Sequence, residues 1–203
     1  MGEPTILVTV RHGATDFNRQ KRYAGFLDVP LNAEGLADAA RASQQLGLSV
    51  DVVVSSTLCR AVETARLLTG GARDIVTSEL CKERDFGAMQ GLASGETEAL
   101  RPVIKYFRIG GDFHSLNPPG GETLPALRKR AARFRAYVMS QFAGRTVLIV
   151  SHEVFLLQFH GLLRGETWQQ AMSHTLPNLT LTTMTMQGHR LLSETARPLV
   201  EAE

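Results

Sequence analysis

Cysteine is scarce in this chain: 203 residues include two, Cys59 and Cys81. Two thiols set far apart exclude a disulfide framework and a Cys-x-x-Cys pair, and burial as small hydrophobes is their ordinary use. Cys59 stands beside Arg60, which keeps a reactive thiol as the alternative there. Long apolar runs are also missing; none approaches the length of about 20 residues needed to cross a bilayer. The opening "MGEPTILVTVRHG" lacks the basic start and extended apolar core of a secretory signal. Met1-Gly2 is followed at position 6 by Ile, where N-myristoylation requires Ser or Thr. We therefore expect a cytoplasmic protein with no membrane partner. The net charge of +2 gives no reason to expect a nucleic-acid partner. Nothing in the pattern sets an oligomeric state.

Several catalytic signatures are absent as well. There is no Walker A lysine loop, no G-x-G-x-x-G and no G-x-S-x-G, which removes nucleotide-dependent transfer, Rossmann redox chemistry and serine hydrolysis as leading readings. His152-Glu153 begins like the zinc motif H-E-x-x-H, but its fifth position is Leu156, and His160 lies too far along a helix to share a metal with His152. No metal site is expected.

What the chain does contain is a regular alternation of two periodicities. Apolar, β-rich runs at Thr5–Val10, Asp51–Val54, Asp74–Thr77 and Thr146–Val150, the alternating "NLTLTTMTMQ" and a final run near His189–Glu194 read as strands. Between them lie helical patterns. One opens with Asn32 as N-cap, carries Leu36, Ala39, Ala40, Ser43 and Leu46 on its apolar face and stops at Gly47. A second spans Ser56 to Leu68, and a third places Leu124, Leu127, Ala131, Phe134 and Val138 in one stripe. The third also carries Arg128, Lys129, Arg130, Arg133 and Arg135, read as a solvated face, with attraction of an anionic substrate as the alternative. Composition is 43% apolar and 21% charged, ordinary for a globular chain of one domain. The expected fold is α/β: a three-layer α/β/α sandwich around a mainly parallel sheet, residues 1–203 forming one domain. The Gly- and Pro-rich segment 87–121 is read as an excursion forming a lid or substrate wall; Phe86, Phe107, Phe113 and His114 line an outer pocket, or the phenylalanines are lid core.

In a parallel sheet, ligands bind beyond the carboxyl ends of the strands. Two apolar strands end there in histidine, "VTVRHG" at His12 and "LIVSHE" at His152, and they converge if their strands are neighbours. Arg11 precedes the first, and Arg60 falls in the first turn of a helix. Arginine forks match phosphate oxygens in a bidentate way, helices opening after Ser55 and His152 would add N-terminal amides, and Gly13 permits close backbone approach. This is a site for a dianion. A neutral imidazole there can attack phosphorus, and Glu83, after the third strand, can protonate the leaving alkoxide if its pKa is raised.

With these residues in place the chain resembles the histidine phosphatase superfamily, which includes cofactor-dependent phosphoglycerate mutase and many small phosphatases. "VRHGATDFN", "RYAGFLDVPLNAEGLADA", "SSTLCRAVETA", "KERDFGAMQG", "PPGGET" and "LIVSHEVF" are similar to its motifs, in order, over nearly the whole chain. The resemblance implies a phosphoglycerate mutase-like fold and catalytic roles for His12, Glu83 and His152. It implies phosphate binding by Arg11, Asn18, Arg60 and His152, and substrate contacts from Thr15, Ala24 and Gly25; Glu153, which departs from the family pattern, is a further candidate substrate contact through a cationic substrate group. It implies a small phosphorylated substrate, no cofactor and no metal. Thr57 stands where relatives usually have Pro, a change tolerated at a helix N1 position, and Glu153 where a Gly commonly follows the histidine. Mutases of the family hold the glycerate carboxylate with a lysine, a tyrosine and an arginine pair. Ser94 and Phe86 stand at the first two positions, and no adjacent Arg-Arg pair occurs in 87–121. The implied activity is therefore metal-independent hydrolysis of phosphate monoesters through a phosphohistidine on His12. Phosphoglycerate mutase is one alternative, and a non-catalytic phosphate-ligand binding protein, for which Glu153 speaks, is another.

Overall fold

The first apolar run becomes β1 (Thr5–Arg11), and successive side chains along it enter different cores: Leu7 one, Val8 and Val10 the other. In the computed structural model, which describes residues 2–100, 102–109 and 112–200, this strand is central in a six-stranded sheet. The elements follow as α1 (Asp16–Arg19), α2 (Ala33–Ala42), β2 (Val52–Ser56), α3 (Cys59–Leu68) and β3 (Ile75–Ser78). Then come the hairpin strands β4 (Tyr106–Ile109) and β5 (Asp112–Ser115), α4 (Leu124–Gln141) and β6 (Thr146–Ser151). The chain closes with α5 (Glu153–Arg164), α6 (Trp168–Ala171), β7 (Thr180–Gln187) and β8 (Arg190–Pro198).

The sheet order is β3-β2-β6-β1-β7-β8. The first four of these strands are mutually parallel, and β7 and β8 add an antiparallel edge. Helices α4 and α5 cover one face, sharing a core with Leu7, Val147 and Ile149; α2 and α3 cover the other with Val8, Leu148 and Val150. Strands buried on both faces need apolar residues at every position, which is why β6 reads as a continuous run. The fold is α/β with a largely parallel sheet, as expected. The stripe Leu124, Leu127, Ala131, Phe134 and Val138 of α4 is fully buried, with Phe134 in edge contact with Phe155 and Phe159. No helix among the described residues is long and apolar enough to cross a membrane.

Two helices depart from expectation. Asn32 caps α2 as read, its side chain accepting from the Gly35 amide, but the buried face is Gly35, Ala39 and Ala42, while Leu36 and Ala40 face solvent. The rotation follows from Gly35, which packs against the backbone of Ala14; a Cβ there would lie 2.1 Å from the Ala14 carbonyl oxygen. Small residues let α2 approach the turn after β1, so the large Leu36 is turned outward. Gly35→Ala is expected to lower stability by about 2 kcal/mol through overpacking against a backbone that cannot yield. Denaturant titration checks this, and an unchanged midpoint would contradict it. The second helix begins at Cys59, not Ser56, because β2 continues through Ser56. Thr57 therefore precedes the N-cap and is not at N1; its hydroxyl donates to Glu79 at 2.6 Å.

Candidate active site

Parallel pairing of β1 with β6 sets Arg11 opposite Ser151, so the next residue of each strand is a histidine beyond the same sheet edge. The His12 and His152 ring centroids lie 5.1 Å apart. His12 is held from several directions. Its amide donates to the Ser151 carbonyl at 3.0 Å, and its own carbonyl accepts from Asn178 Nδ2 at 2.7 Å. The next amide, Gly13, donates to Thr64 at 3.0 Å. His12 Nδ1 lies 2.7 Å from the Gly13 carbonyl oxygen. A carbonyl only accepts, so Nδ1 carries the proton and Nε2 keeps its lone pair. Burial, then Arg60 and Arg11, hold the His12 pKa well below the usual imidazole range.

The two arginines are anchored at their tips. Arg60, buried in the first turn of α3, donates through Nη1 to the Leu27 carbonyl and through Nη2 to the Gly25 carbonyl, both at 2.9 Å. Arg11 Nη1 donates to the Leu176 carbonyl at 2.6 Å and meets Glu153 Oε2 at 2.8 Å. Among the described residues the Nε of each arginine is buried without a hydrogen-bond partner, as are both ring nitrogens of His152. Buried polar atoms rarely lack partners, so this cluster of nitrogens around His12 suits an anion with several oxygens. A cavity of about 320 Å³ opens there, lined by Arg11, His12, Thr15, Asn18, Ala24, Gly25, Arg60, Glu83 and Glu153 among others. His152 is fully buried beneath this lining. Thr15 and Asn18 form a capping box on α1 in which Asn18 Oδ1 accepts from the Thr15 amide and hydroxyl, leaving the Asn18 Nδ2 donor available.

Glu83 reaches the same cavity from the loop after β3. Its Oε1 accepts from the amides of Arg84 at 2.8 Å and Phe155 at 3.1 Å, and its Oε2 from Val154 at 3.4 Å. Burial pushes its pKa up; the Arg84 amide and Arg60 act in the opposite sense, and the nearby Glu153 adds to the rise. Its backbone is clamped as well. Arg130 donates to the carbonyls of Leu80, Lys82 and Glu83 while forking onto Glu122 at 2.6 and 3.0 Å.

Several expectations are corrected by this arrangement. The helix termini do not offer the free amides anticipated: the Cys59 amide donates to Asp28 at 2.7 Å, and those of Val154 and Phe155 donate to Glu83. Acidic side chains cap both helices, and side-chain donors face the cavity instead. Arg130 and Arg128 of α4 are not a solvated face either, since Arg128 bonds the carbonyls of Gln158 and Glu166. Of the aromatic residues considered, Phe86 lines the cavity; Phe107 packs edge-on to Trp168 and stacks with His114, and Phe113 is exposed. The Cys59 thiol is pushed up to about 11 by burial and by Asp28, which leaves no reactive thiolate beside Arg60.

Residues overlooked in the sequence include Arg84, buried and bonded to the carbonyls of Ser115, Leu116 and Glu122, and Thr64, which receives the Gly13 amide. Lys21 and Tyr23 also line the cavity, Lys21 with a left-handed backbone at φ 53°. A lysine in a conformation that glycine adopts freely was a signal no residue pattern carried.

Comparison with known proteins shows the family and the fold. A bifunctional protein of Mycobacterium tuberculosis is 36% identical over 154 residues, 74% of this chain but 42% of that protein, so the chain matches less than half the length of that relative. A 2,3-bisphosphoglycerate-dependent phosphoglycerate mutase of a Methylobacterium species is 31% identical over 202 residues, 94% of this chain and 93% of the mutase. Among solved structures, the alpha-ribazole phosphatase of Shigella flexneri superposes with a TM-score of 0.80 at 24% identity, covering 95% of both chains. A phosphoserine phosphatase from Entamoeba histolytica, in complex with 3-phosphoglyceric acid, gives 0.77 at 24% identity, covering 96% of this chain and 98% of its own. At that identity both describe the shared fold. Residues 7–196 match the histidine phosphatase superfamily, branch 1, and with that match, spanning nearly all the strands and helices described, the chain belongs to that superfamily.

Proposed function

We propose that this protein hydrolyses phosphate monoesters without metal, through a phosphohistidine on His12. The observation that carries the reading is the set of partnerless buried nitrogens on Arg11, Arg60 and His152 gathered about a His12 whose Nε2 is free. In the first step the Nε2 lone pair attacks phosphorus in line, the ester P–O bond breaks, and Glu83 gives its proton to the leaving alkoxide. Arg11, Arg60, His152 and Asn18 Nδ2 hold the phosphoryl oxygens as charge spreads over them. In the second step the Glu83 carboxylate takes a proton from water, the oxygen attacks phosphorus, and the P–N bond breaks. Inorganic phosphate leaves, with His12 neutral and Glu83 protonated again. The lowered His12 pKa and raised Glu83 pKa favour the two forms the first step needs, a free base beside a protonated acid.

Phosphate release from a panel of monoesters in excess EDTA tests the reading. We expect release that persists in chelator; no release from any ester would contradict it. The 31% identity to a mutase over almost the whole chain favours phosphoglycerate mutation as the second reading. Phe86 and Ser94, standing where mutases carry carboxylate anchors, weigh against it, and 3-phosphoglycerate with a bisphosphoglycerate primer distinguishes the two.

A further inference from the structure

Glu153 is the first residue of α5 and lines the cavity, its side chain 36% exposed. Its Oε2 pairs with Arg11 Nη1, which also bonds the Leu176 carbonyl. Arg11 Nη1 is thus turned to the Leu176 carbonyl and the Glu153 carboxylate, while Arg11 Nε, buried with no hydrogen-bond partner among the described residues, is left for an incoming anion. The carboxylate and the anion thus lie on two sides of one planar cation, and Glu153 need not be displaced when phosphate binds. Among the described residues its second oxygen, Oε1, makes no hydrogen bond, and the side chain lines the cavity partly exposed. The other lining acid, Glu83, has both oxygens on backbone amides, and Arg22 is tied to the Gly91 carbonyl and Glu96. An acid held beside a phosphate site repels a second anion and attracts a cation.

We propose that Glu153 is a specificity residue that reads an ammonium group a few bonds from the phosphoryl group, so that the preferred substrate class is aminoalkyl phosphate monoesters. The inference rests on the reading of this cavity as a phosphate-ester site. It is distinct from a role of Glu153 in merely positioning Arg11, which would affect every ester alike.

The test compares O-phosphoethanolamine with 2-hydroxyethyl phosphate, which match in length and differ in ammonium against hydroxyl. Lys21 also lines the cavity and would oppose a cation beside it, so neither ester carries a second anionic group. A charge-assisted hydrogen bond predicts a kcat/KM ratio of about tenfold or more in favour of the amine. In Glu153→Gln the ratio is expected to fall to about one. Any effect of that substitution on Arg11 or Glu83 is common to both esters and cancels in the ratio. A wild-type ratio near one, or a ratio that survives in Glu153→Gln, overturns the proposal. Should neither ester be hydrolysed, the phosphatase reading is judged separately by the wider ester panel. The Kd ratio of the two esters by calorimetry, with His12→Ala holding the ester intact, then decides the cation reading alone. A tenfold preference lost in the double variant supports it, and equal binding or none overturns it.

Discussion

Replacing His12 with alanine is expected to lower phosphate release by at least about a thousandfold, the scale on which removal of a covalent nucleophile acts. The loss should be in kcat. Arg11 and Arg60 are anchored by backbone carbonyls and Glu153, none of which involves the imidazole, so their free edges persist in the variant. Inorganic phosphate should therefore still bind, within about tenfold of wild type. The surrounding frame should also survive, because Asn178 and Ser151 bond the backbone of residue 12 and not its side chain. Calorimetric titration with phosphate beside steady-state kinetics checks both parts. A variant that retains wild-type turnover would remove His12 from the chemistry.

The second large effect concerns Glu83 and its pH dependence. Glu83→Gln keeps the shape but has no proton to give, and is expected to slow hydrolysis of alkyl phosphates by about a hundredfold or more. An aryl ester such as p-nitrophenyl phosphate, whose leaving group needs no proton, should lose far less. The sign with pH follows from the shifts. A raised Glu83 pKa keeps the acid protonated above the ordinary carboxylate range, and that form is lost as pH rises through the raised value. His12 is lowered, so its free base persists as pH falls well below the usual imidazole range. For alkyl esters kcat/KM should therefore be greatest on the acid side of neutrality and fall as pH rises. In Glu83→Gln that basic-side fall should vanish. An unchanged fall would assign it to another group.

The order of strands and helices was legible because burial on both faces leaves a simple pattern: β6 is apolar from Val147 to Val150 and the α4 stripe repeats at helical spacing. Convergence of His12 and His152 follows from topology if β1 and β6 are neighbours, and the register of Arg11 with Ser151 shows that they are. What could not be read was the use of charge. Arg128 and Arg130 read in sequence as part of a solvated face and Arg84 carries no signal there, yet each binds carbonyls brought from distant segments. Asp28 and Glu83 cap helices that lie far from them in sequence, which removes amides the local pattern left free. Such partners are set by long-range packing, and no local spacing encodes them. The turn of Leu36 to solvent has the same origin, since only the approach of Gly35 to Ala14 decides it.

The central claim is a phosphoryl group carried on His12 and then given to water. Its most direct test is rapid quench of the enzyme with a radiolabelled monoester, followed by peptide mapping. The account predicts an acid-labile, base-stable phosphate on the peptide containing His12, formed within one turnover, absent from His12→Ala and decaying to inorganic phosphate. Hydrolysis with no labelled enzyme at any time, or label on another residue, would contradict it.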